Sequence, residues 1–212
     1  MHLEEASLRK LENKMVVNLF NKWDCEGIKV MDPGLQNYIS LRPIIVPKTG
    51  ARYAQNRFHK SKINIVERLV NKLMVPGHKS KKHFKSSGRC TGKALQSLDF
   101  VKEAFEIIAK KTNKNPVEVF VKALENAAPR EEIITIEYGG ARYPKAVECA
   151  PQRRIDIVLK YFVQGAYQKS FNTKKSSVSC LADEILNAYK LSSNALAISK
   201  KLEVERQADA SR

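Results

Sequence analysis

The side chains best suited to bind a ligand are cationic and are concentrated in one segment of the chain. Residues 48–93 contain thirteen lysines and arginines and one acid, Glu67, so they carry +12 of the formal net charge of +16. Arginine forks onto phosphate and stacks on bases, and aromatic rings supply further stacking faces. Such rings lie between the charges at Tyr53, Phe58, His59, His83 and Phe84. The pattern therefore predicts nucleic-acid binding rather than a solvated face, which is the usual meaning of a short lysine-rich patch.

The stretch KSKKHFKSSGRCTGK, residues 79–93, contains no acid at all. It lies between two predicted helices, and nothing in it can form a core. We expect a loop that is mobile in the free protein and becomes ordered when phosphates surround it. An anionic membrane surface is the other polyanion that fits the charge, but no apolar run approaches the roughly 20 residues of a membrane-spanning helix.

Two motifs in this segment suggest other chemistry, and neither is complete. GRCTGKA, residues 88–94, has three residues between its glycines where a P-loop has four, and no Ser or Thr follows its lysine. His78, His83 and Cys90 match no familiar zinc-site spacing and lack a fourth ligand. The sequence also has no carboxylate pair, GxSxG or HExxH motif. We predict no enzymatic activity, no cofactor and no metal site.

Apolar residues at helical spacing predict that most of the chain is helical. The first long helix is expected to begin at Ser61, to end before Pro76, and to bury Leu69 while its other face carries Arg68 and Lys72.

Capping residues predict where the later helices begin. Ser97 is the expected N-cap of the second helix, and Asn115 that of the third, with Pro116 at its first position. A fourth helix starts at Pro151, and a charged terminal helix ends the chain. Between these two, another helix begins at Ser177 or Ser179.

An alternating pattern interrupts the helices in REEIITIEYGGARYPKAVECA. It predicts a β-hairpin whose turn contains Gly139 and Gly140, because glycine readily adopts the positive φ that tight hairpin turns require. We expect Ile134 and Ile136 to pack at the base of this arm, and residues 138–143 to present rings and charge at its tip.

The predicted fold is mainly α: a bundle of about six helices with a protruding β-hairpin arm and an irregular N-terminal extension. We assign residues 1–50 to the extension and residues 51–212 to a single helical domain, with the hairpin at about 131–149. Isolated cysteines at positions 25, 90, 149 and 180 predict reduced thiols. The N-terminus lacks an apolar signal region, so we expect a cytosolic protein.

Four segments, in this order, resemble the universal small-subunit ribosomal protein seven family: RYAQNRFHKSKINIVERLVNKLM, FVKEAFEIIAKKTNKNPVEVFVKALENAAPREE, APQRRIDIVLKYFVQGA and LADEILNAYK. The resemblance covers roughly residues 20–212, nearly the whole chain. LFNKWD and YGGARYP are similar to the archaeal and eukaryotic branch of the family. The loop at residues 77–92 is longer than in many of its members.

The resemblance implies a structural constituent of the small ribosomal subunit that binds the 3′ major domain of the rRNA and helps to nucleate assembly of the head. It also implies a place near the E site and the mRNA exit, beside E-site tRNA, mRNA and neighbouring small-subunit proteins. The rRNA-binding residues that the resemblance implies are Arg52, Arg57, Lys60, Lys62, Arg68, Lys72, Arg153 and Arg154. The charge of the stretch at residues 79–93, called the basic loop below, adds Lys79, Lys81, Lys82, Lys85, Arg89 and Lys93 as predicted rRNA contacts. The implied tRNA- or mRNA-facing residues are Tyr138, Gly139, Gly140, Arg142 and Tyr143.

Two other classes of protein fit parts of the pattern. A helical core with a β-arm and basic patches also describes architectural DNA-binding proteins, which lay ribbons in a groove of the duplex. A pure protein-interaction module is the third class, and the concentrated positive charge argues against it.

Overall fold

The chain folds into a helical bundle with one β-hairpin, and the computed structural model describes residues 17–76 and 90–212. Within these ranges there are eight α-helices and one two-stranded antiparallel sheet. In chain order they are α1 (Pro33–Gln36), α2 (His59–Lys62), α3 (Ile65–Leu73), α4 (Ala94–Thr112), α5 (Pro116–Ala127), β1 (Glu131–Tyr138), β2 (Ala141–Glu148), α6 (Pro151–Ser170), α7 (Ser177–Tyr189) and α8 (Leu196–Ala210). Because α1 and α2 are single turns, six longer helices form the bundle. The predicted fold class is confirmed.

A row of aromatic rings runs through the core and joins several elements. Phe105 of α4 lies 5.7 Å from Phe120 of α5, measured between ring centres, and Phe120 lies 6.4 Å from Phe162 of α6. Trp23, from the N-terminal segment, reaches Phe105 at 5.8 Å. All three phenylalanines are fully buried. Aromatic packing therefore joins the early, largely irregular part of the chain to the centre of the bundle.

The described part of the N-terminal segment, residues 17–50, is bound to the bundle by burial and by ion pairing. Leu19 and Leu35 are completely buried in the common core. Asp32 accepts a hydrogen bond from the amide of Gly34 at 2.9 Å and starts α1. Its other carboxylate oxygen lies 2.8 Å from Arg154, at the start of α6. The segment is thus irregular in conformation but fixed in position.

The predicted cap of α5 is confirmed. The side-chain oxygen of Asn115 accepts a hydrogen bond from the amide of Val117 at 3.0 Å, and Pro116 is the first helical residue. The side-chain amide of Asn115 also donates to the carbonyl of Asp24 at 2.6 Å. The cap therefore fixes the N-terminal segment as well as the helix.

Two predicted helix starts are wrong. The helix expected to begin at Ser61 is interrupted, because Ile63 has extended backbone and Asn64 begins α3 by accepting from the amide of Val66 at 2.9 Å. The helix expected to begin after Ser97 starts one turn earlier, at Ala94. Local hydrogen bonding explains the second error, because the Ser97 hydroxyl donates back to the carbonyl of residue 93 instead of capping.

The remaining predicted starts agree with the structure. α6 begins at Pro151, and α7 begins at Ser177. The predicted basic loop lies largely outside the described ranges, which omit residues 77–89.

Candidate nucleic-acid interface

An open groove of about 660 Å³ is lined by residues of α2, α3, α6 and α8 and by the base of β1. We call it the basic groove. Its lining contains six lysines and arginines but only two acids, Glu132 and Asp156. Phe58 and Tyr161 add aromatic rings to the same surface. The cationic members are Lys60, Lys72, Arg153, Lys160, Lys200 and Lys201. Cationic side chains interspersed with rings suit a phosphate backbone with exposed bases.

One acid of the groove, Asp156, holds cationic side chains in place. Its two oxygens lie 3.1 Å from the Lys60 ammonium and 3.2 Å from the Arg68 guanidinium. Burial alone would raise the pKa of Asp156, but Arg68 and Lys60 outweigh burial and keep the pKa below its ordinary value. Asp156 therefore stays ionised and fixes the position of Lys60 at the edge of the groove.

Arg68 is buried, so the prediction that it lies with Lys72 on the helix face opposite the core is wrong. Its side chain is only 4% exposed and also donates to the carbonyl of Tyr38 at 3.2 Å. Burial lowers the pKa of Arg68, and Asp156 opposes that effect. A guanidinium enclosed in this way has little surface to offer an RNA, and it connects α3, α6 and the N-terminal segment instead.

The two arginines at the start of α6 have different roles in the structure. Arg153 is exposed and pairs with Glu132 of β1 at 2.7 Å, so it lines the groove beside the base of the hairpin. Arg154 is buried, donates to the carbonyl of Pro129 at 2.9 Å and pairs with Asp32. Arg154 thereby joins the N-terminal segment, the end of α5 and α6. Because both are buried, Arg68 and Arg154 are structural residues rather than candidates for RNA contact.

The structure distributes the other predicted cations over several surfaces. Lys60 and Lys72 line the basic groove, whereas Arg52 and Arg57 are exposed in the turns before it. Lys62 lines a separate cavity beside the N-terminal segment. Lys93 lines an apolar cleft formed with α6 and α7. The predicted contacts at Lys79, Lys81, Lys82, Lys85 and Arg89 lie outside the described residues.

An unusual backbone conformation brings an aromatic ring to the groove. Phe58 has a φ of +55°, in the left-handed region that a bulky side chain rarely adopts, and it is 64% exposed. The guanidinium carbon of Arg57 lies 5.6 Å from the centre of its ring. Strain of this kind often accompanies a functional position, and an exposed ring beside phosphate-binding cations can stack on a base.

Three lysines of the groove, Lys160, Lys200 and Lys201, were not among the residues predicted from the sequence. Lys160 follows Arg153 by seven residues and therefore lies on the same face of α6, so helical spacing alone could have identified it. Lys200 and Lys201 come from α8 and reach the groove only through the packing of the bundle. Burial lowers the pKa of Lys201, which donates to the carbonyl of Asn126 at 2.8 Å.

The hairpin forms the arm beside the groove. Its strands pair from Glu131 opposite Glu148 to Tyr138 opposite Ala141. The turn residues, Gly139 and Gly140, have φ values of +57° and +82°, as the sequence predicted.

The outward surface of the arm is more apolar than expected. Ile134 and Ile136 are 40% and 44% exposed, so the prediction that they pack at the base is wrong. With Tyr138 and Tyr143 they share one face of the two-stranded sheet, because facing residues of a ladder project to the same side. Arg142 lies on the opposite face, 3.6 Å from Glu137.

The described ranges offer neither a metal centre nor a membrane segment. No group of three or more His, Cys, Asp or Glu in residues 17–76 and 90–212 is arranged to hold a metal ion. Within the same ranges, no helix combines the length and the apolar character needed to cross a bilayer.

Comparison of the sequence with known proteins agrees with the motif resemblance. The profile of the family described as ribosomal protein S7p/S5e matches residues 35–212. Three relatives, each named small ribosomal subunit protein uS7, come from archaea. The chain is 50% identical to that of Nanoarchaeum equitans over 198 residues, which is 93% of this chain and 100% of the relative. Identity is 47% to that of Methanosphaera stadtmanae over 92% and 98% of the two chains, and 45% to that of Archaeoglobus fulgidus over 92% and 94%.

Proposed function

The chain belongs to the ribosomal protein S7p/S5e family, and we propose that it binds small-subunit rRNA through the basic groove and reaches other RNA with its hairpin arm. Membership confirms the resemblance inferred from the four motifs. It makes the protein a structural, non-enzymatic and RNA-binding constituent of the small subunit of the cytoplasmic ribosome.

The composition of the basic groove is the observation that supports rRNA binding. Six lysines and arginines line it and only two acids do, and both acids are paired with cations. Phosphate contacts supply most of the affinity of such an interface. We propose that Lys60, Lys72 and Arg153 contact rRNA in this groove, with Arg52, Arg57 and Lys62 beside it. Lys93 and the loop cations at positions 79–89 remain predicted contacts.

We take the rRNA target to be the 3′ major domain, and we propose that binding there helps to nucleate assembly of the head. A basic groove that is fixed by internal ion pairs fits this role, because it is formed before the RNA arrives. Asp156 and Arg68 supply that fixed frame.

The test measures affinity for a transcript of the 3′ major domain over a range of salt concentrations. Replacing Lys72, Lys160 and Lys200 by alanine should reduce the slope of log affinity against log salt by about two to three, because each lost phosphate contact removes about 0.7 to 0.9 of slope. The matched control replaces three exposed lysines that do not line the groove, at positions 110, 174 and 190.

The control variant should retain the wild-type slope. An equal slope for both variants would contradict binding through this groove. Duplex DNA of equal charge, measured at matched salt, tests the alternative of an architectural DNA-binding protein, and tighter binding to DNA than to the transcript would favour it.

We further propose that the hairpin arm contacts E-site tRNA or mRNA near the mRNA exit, through Tyr138, Gly139, Gly140, Arg142 and Tyr143. Strands of eight residues each extend about 26 Å at roughly 3.3 Å per residue. The exposed rings of the tip and the guanidinium of Arg142 suit contact with nucleotides.

Shortening the arm by whole pairs tests this proposal. Thr135 faces Pro144 and Ile136 faces Tyr143, so deleting these four residues removes two rungs. This deletion leaves every other side chain of the arm on its original face of the sheet, because side-chain direction repeats every two residues along a strand. The arm becomes shorter by about 7 Å. We expect normal entry into small subunits and weaker retention of tRNA in the E site. Failure to enter subunits would instead identify the arm as an assembly element.

A further inference from the structure

Phe58 lines two surfaces: the basic groove and a second open pocket, which we call the side pocket. The side pocket has a volume of about 520 Å³ and is lined by residues 37–40, Arg42, Phe58, Ser61 and Lys62. That volume is within the range of about 300–1,000 Å³ that is typical of small-molecule sites. Lys60 of the short helix α2 lines the groove and Lys62 lines the side pocket, so the two surfaces meet at this one turn of helix.

The side pocket is positively charged, and its cations are available to a ligand. Its lining contains Arg42 and Lys62 and no acid, and both of these side chains are exposed. In the described part of the chain neither of them pairs with an acid, whereas Lys60 and Arg153 of the groove do. Exposed cations without internal partners can hold phosphates. A polyanion bound in the groove can therefore continue into the side pocket.

The Phe58 ring stands at the junction of the two surfaces at a conformational cost. Its φ of +55° is one that asparagine and glycine adopt more readily than a bulky residue. The Arg57 guanidinium lies over the ring, yet the side chain is still 64% exposed, so ring surface remains accessible. A ring that is strained and mostly exposed adds little to the stability of the fold. A ligand that stacks on the ring explains its position better than packing does.

An unpaired nucleotide combines the two chemistries that meet at Phe58. Its base offers a flat face to an aromatic ring, and its phosphate offers negative charge to Arg42 and Lys62. A small anion would use only the cations, and an apolar ligand would use only the ring.

We propose that the RNA strand bound in the basic groove passes over Phe58 into the side pocket, where an unpaired base stacks on the Phe58 ring and Arg42 and Lys62 hold the adjoining phosphates. The inference rests on the proposed function, since it extends the path of the RNA beyond the groove and names the residue that stacks.

The test uses the full chain and two single-stranded probes of equal length and charge, oligoadenylate and a base-free oligomer of abasic ribose phosphate. Affinity is measured by fluorescence anisotropy at matched salt. Phe58→Asn should lose at least about fivefold in affinity for oligoadenylate, the low end of the loss expected for one stacked base. Its affinity for the base-free oligomer should not change, because phenylalanine holds no phosphate.

Asparagine also tolerates positive φ, so Phe58→Asn should fold at least as stably as the wild type. The matched control is Leu191→Asn, since Leu191 has a φ of +56° and is 63% exposed but does not line the groove or the side pocket. It should leave the affinity for both probes unchanged.

Two further variants test the ring and the cations separately. The chain has one tryptophan, Trp23, so the emission gained in Phe58→Trp reports on position 58. That variant should bind oligoadenylate as tightly as the wild type, and only oligoadenylate should quench the added emission. Arg42→Ala should reduce the slope of log affinity against log salt by about 0.7 on oligoadenylate. Arg206→Ala, which changes an exposed arginine outside both surfaces, should not.

Equal losses of Phe58→Asn on the two probes, or no loss on either, would overturn this inference. So would an Arg42→Ala slope equal to that of Arg206→Ala. Each of these results leaves rRNA binding by the basic groove standing, provided that replacing Lys72, Lys160 and Lys200 still reduces the slope for the transcript. Absence of RNA binding by the wild type would overturn the proposed function and this inference together.

Discussion

Replacing Gly165 by alanine should destabilise the protein, although the same change in most helices is favourable. Gly165 lies in the interior of α6, where Glu184 of α7 crosses it. A Cβ atom at this position would lie 2.7 Å from the carboxyl carbon of Glu184 and 2.8 and 2.9 Å from its two oxygens. Ordinary contact begins at 3.4 Å, so the two groups would have to separate by about 0.7 Å.

The carboxylate of Glu184 has little freedom to move away. It is completely buried, lies 2.6 Å from the Lys169 ammonium and accepts a hydrogen bond from the amide of Leu196 at 3.0 Å. Burial raises the pKa of Glu184, and Lys169 and the Leu196 amide oppose that effect. Displacing the carboxylate therefore weakens an ion pair and frees the first amide of α8.

The expected size of the effect follows from three contributions. Alanine in a helix is favoured over glycine by about 0.5–1 kcal/mol. Overpacking costs about 1–3 kcal/mol, and each weakened hydrogen bond to a charged group costs up to about 1.5–3 kcal/mol. We expect a net loss of about 2 kcal/mol in the free energy of unfolding, which lowers the melting temperature by about 4–8 °C in a chain of this length.

Urea unfolding followed by circular dichroism measures this loss, and Glu184→Ala supplies the matched background. Without the carboxylate, the new methyl group of Gly165→Ala has no clash, so the change should be neutral or stabilising by up to about 1 kcal/mol. A clash between this methyl group and Glu184 is refuted if Gly165→Ala stabilises the wild type, or if the substitution costs the same free energy in both backgrounds.

Three further predictions concern stability. Leu69→Ala removes a fully buried side chain and should lower the free energy of unfolding, measured in urea, by about 2–5 kcal/mol. Lys72→Ala changes a residue that lines the groove and should leave that free energy nearly unchanged. An equal loss for the two variants would contradict the assignment of Leu69 to the core and Lys72 to the groove. Asn115→Ala removes the α5 cap and should cost about 0.5–2 kcal/mol, and no change would show that the cap is dispensable. The pKa of Asp156 is lowered from 3.8, so its ionised form contributes stability that is present above pH 3.8 and lost as pH falls through the lower folded-state pKa. The free-energy difference between the wild type and Asp156→Asn should therefore shrink on acidification below pH 3.8, and a constant difference would argue against an ionised Asp156.

Local patterns in the sequence determined most of the secondary structure. Pro116 and Asn115 define the start of α5 because a cap depends on residues only two or three positions apart. Gly139 and Gly140 define the hairpin turn because positive φ is a property of the single residue. The apolar stripe of α6, from Ile155 to Val163, is buried as its helical spacing predicts. The concentration of positive charge in residues 48–93 likewise required no structure to recognise.

Tertiary structure alone decided which charges are available to a ligand. Arg68 and Lys72 occupy one helix and look equivalent in sequence, but Asp156, 88 residues further along the chain, draws Arg68 into the interior. Arg153 and Arg154 are neighbours, yet Asp32 pairs with the second and leaves the first exposed to the groove.

The composition of the groove and the burial of Glu67 also depended on tertiary contacts. Lys200 and Lys201 join the groove because α8 packs back against the bundle. Glu67 is a buried side chain rather than a surface charge, and its Oε1 accepts two hydrogen bonds from Thr49, 18 residues earlier in the chain. The physical reason is common to these cases: charge and helical spacing are encoded within a few residues, whereas burial and ion pairing depend on segments far apart in the sequence that meet only in the folded chain.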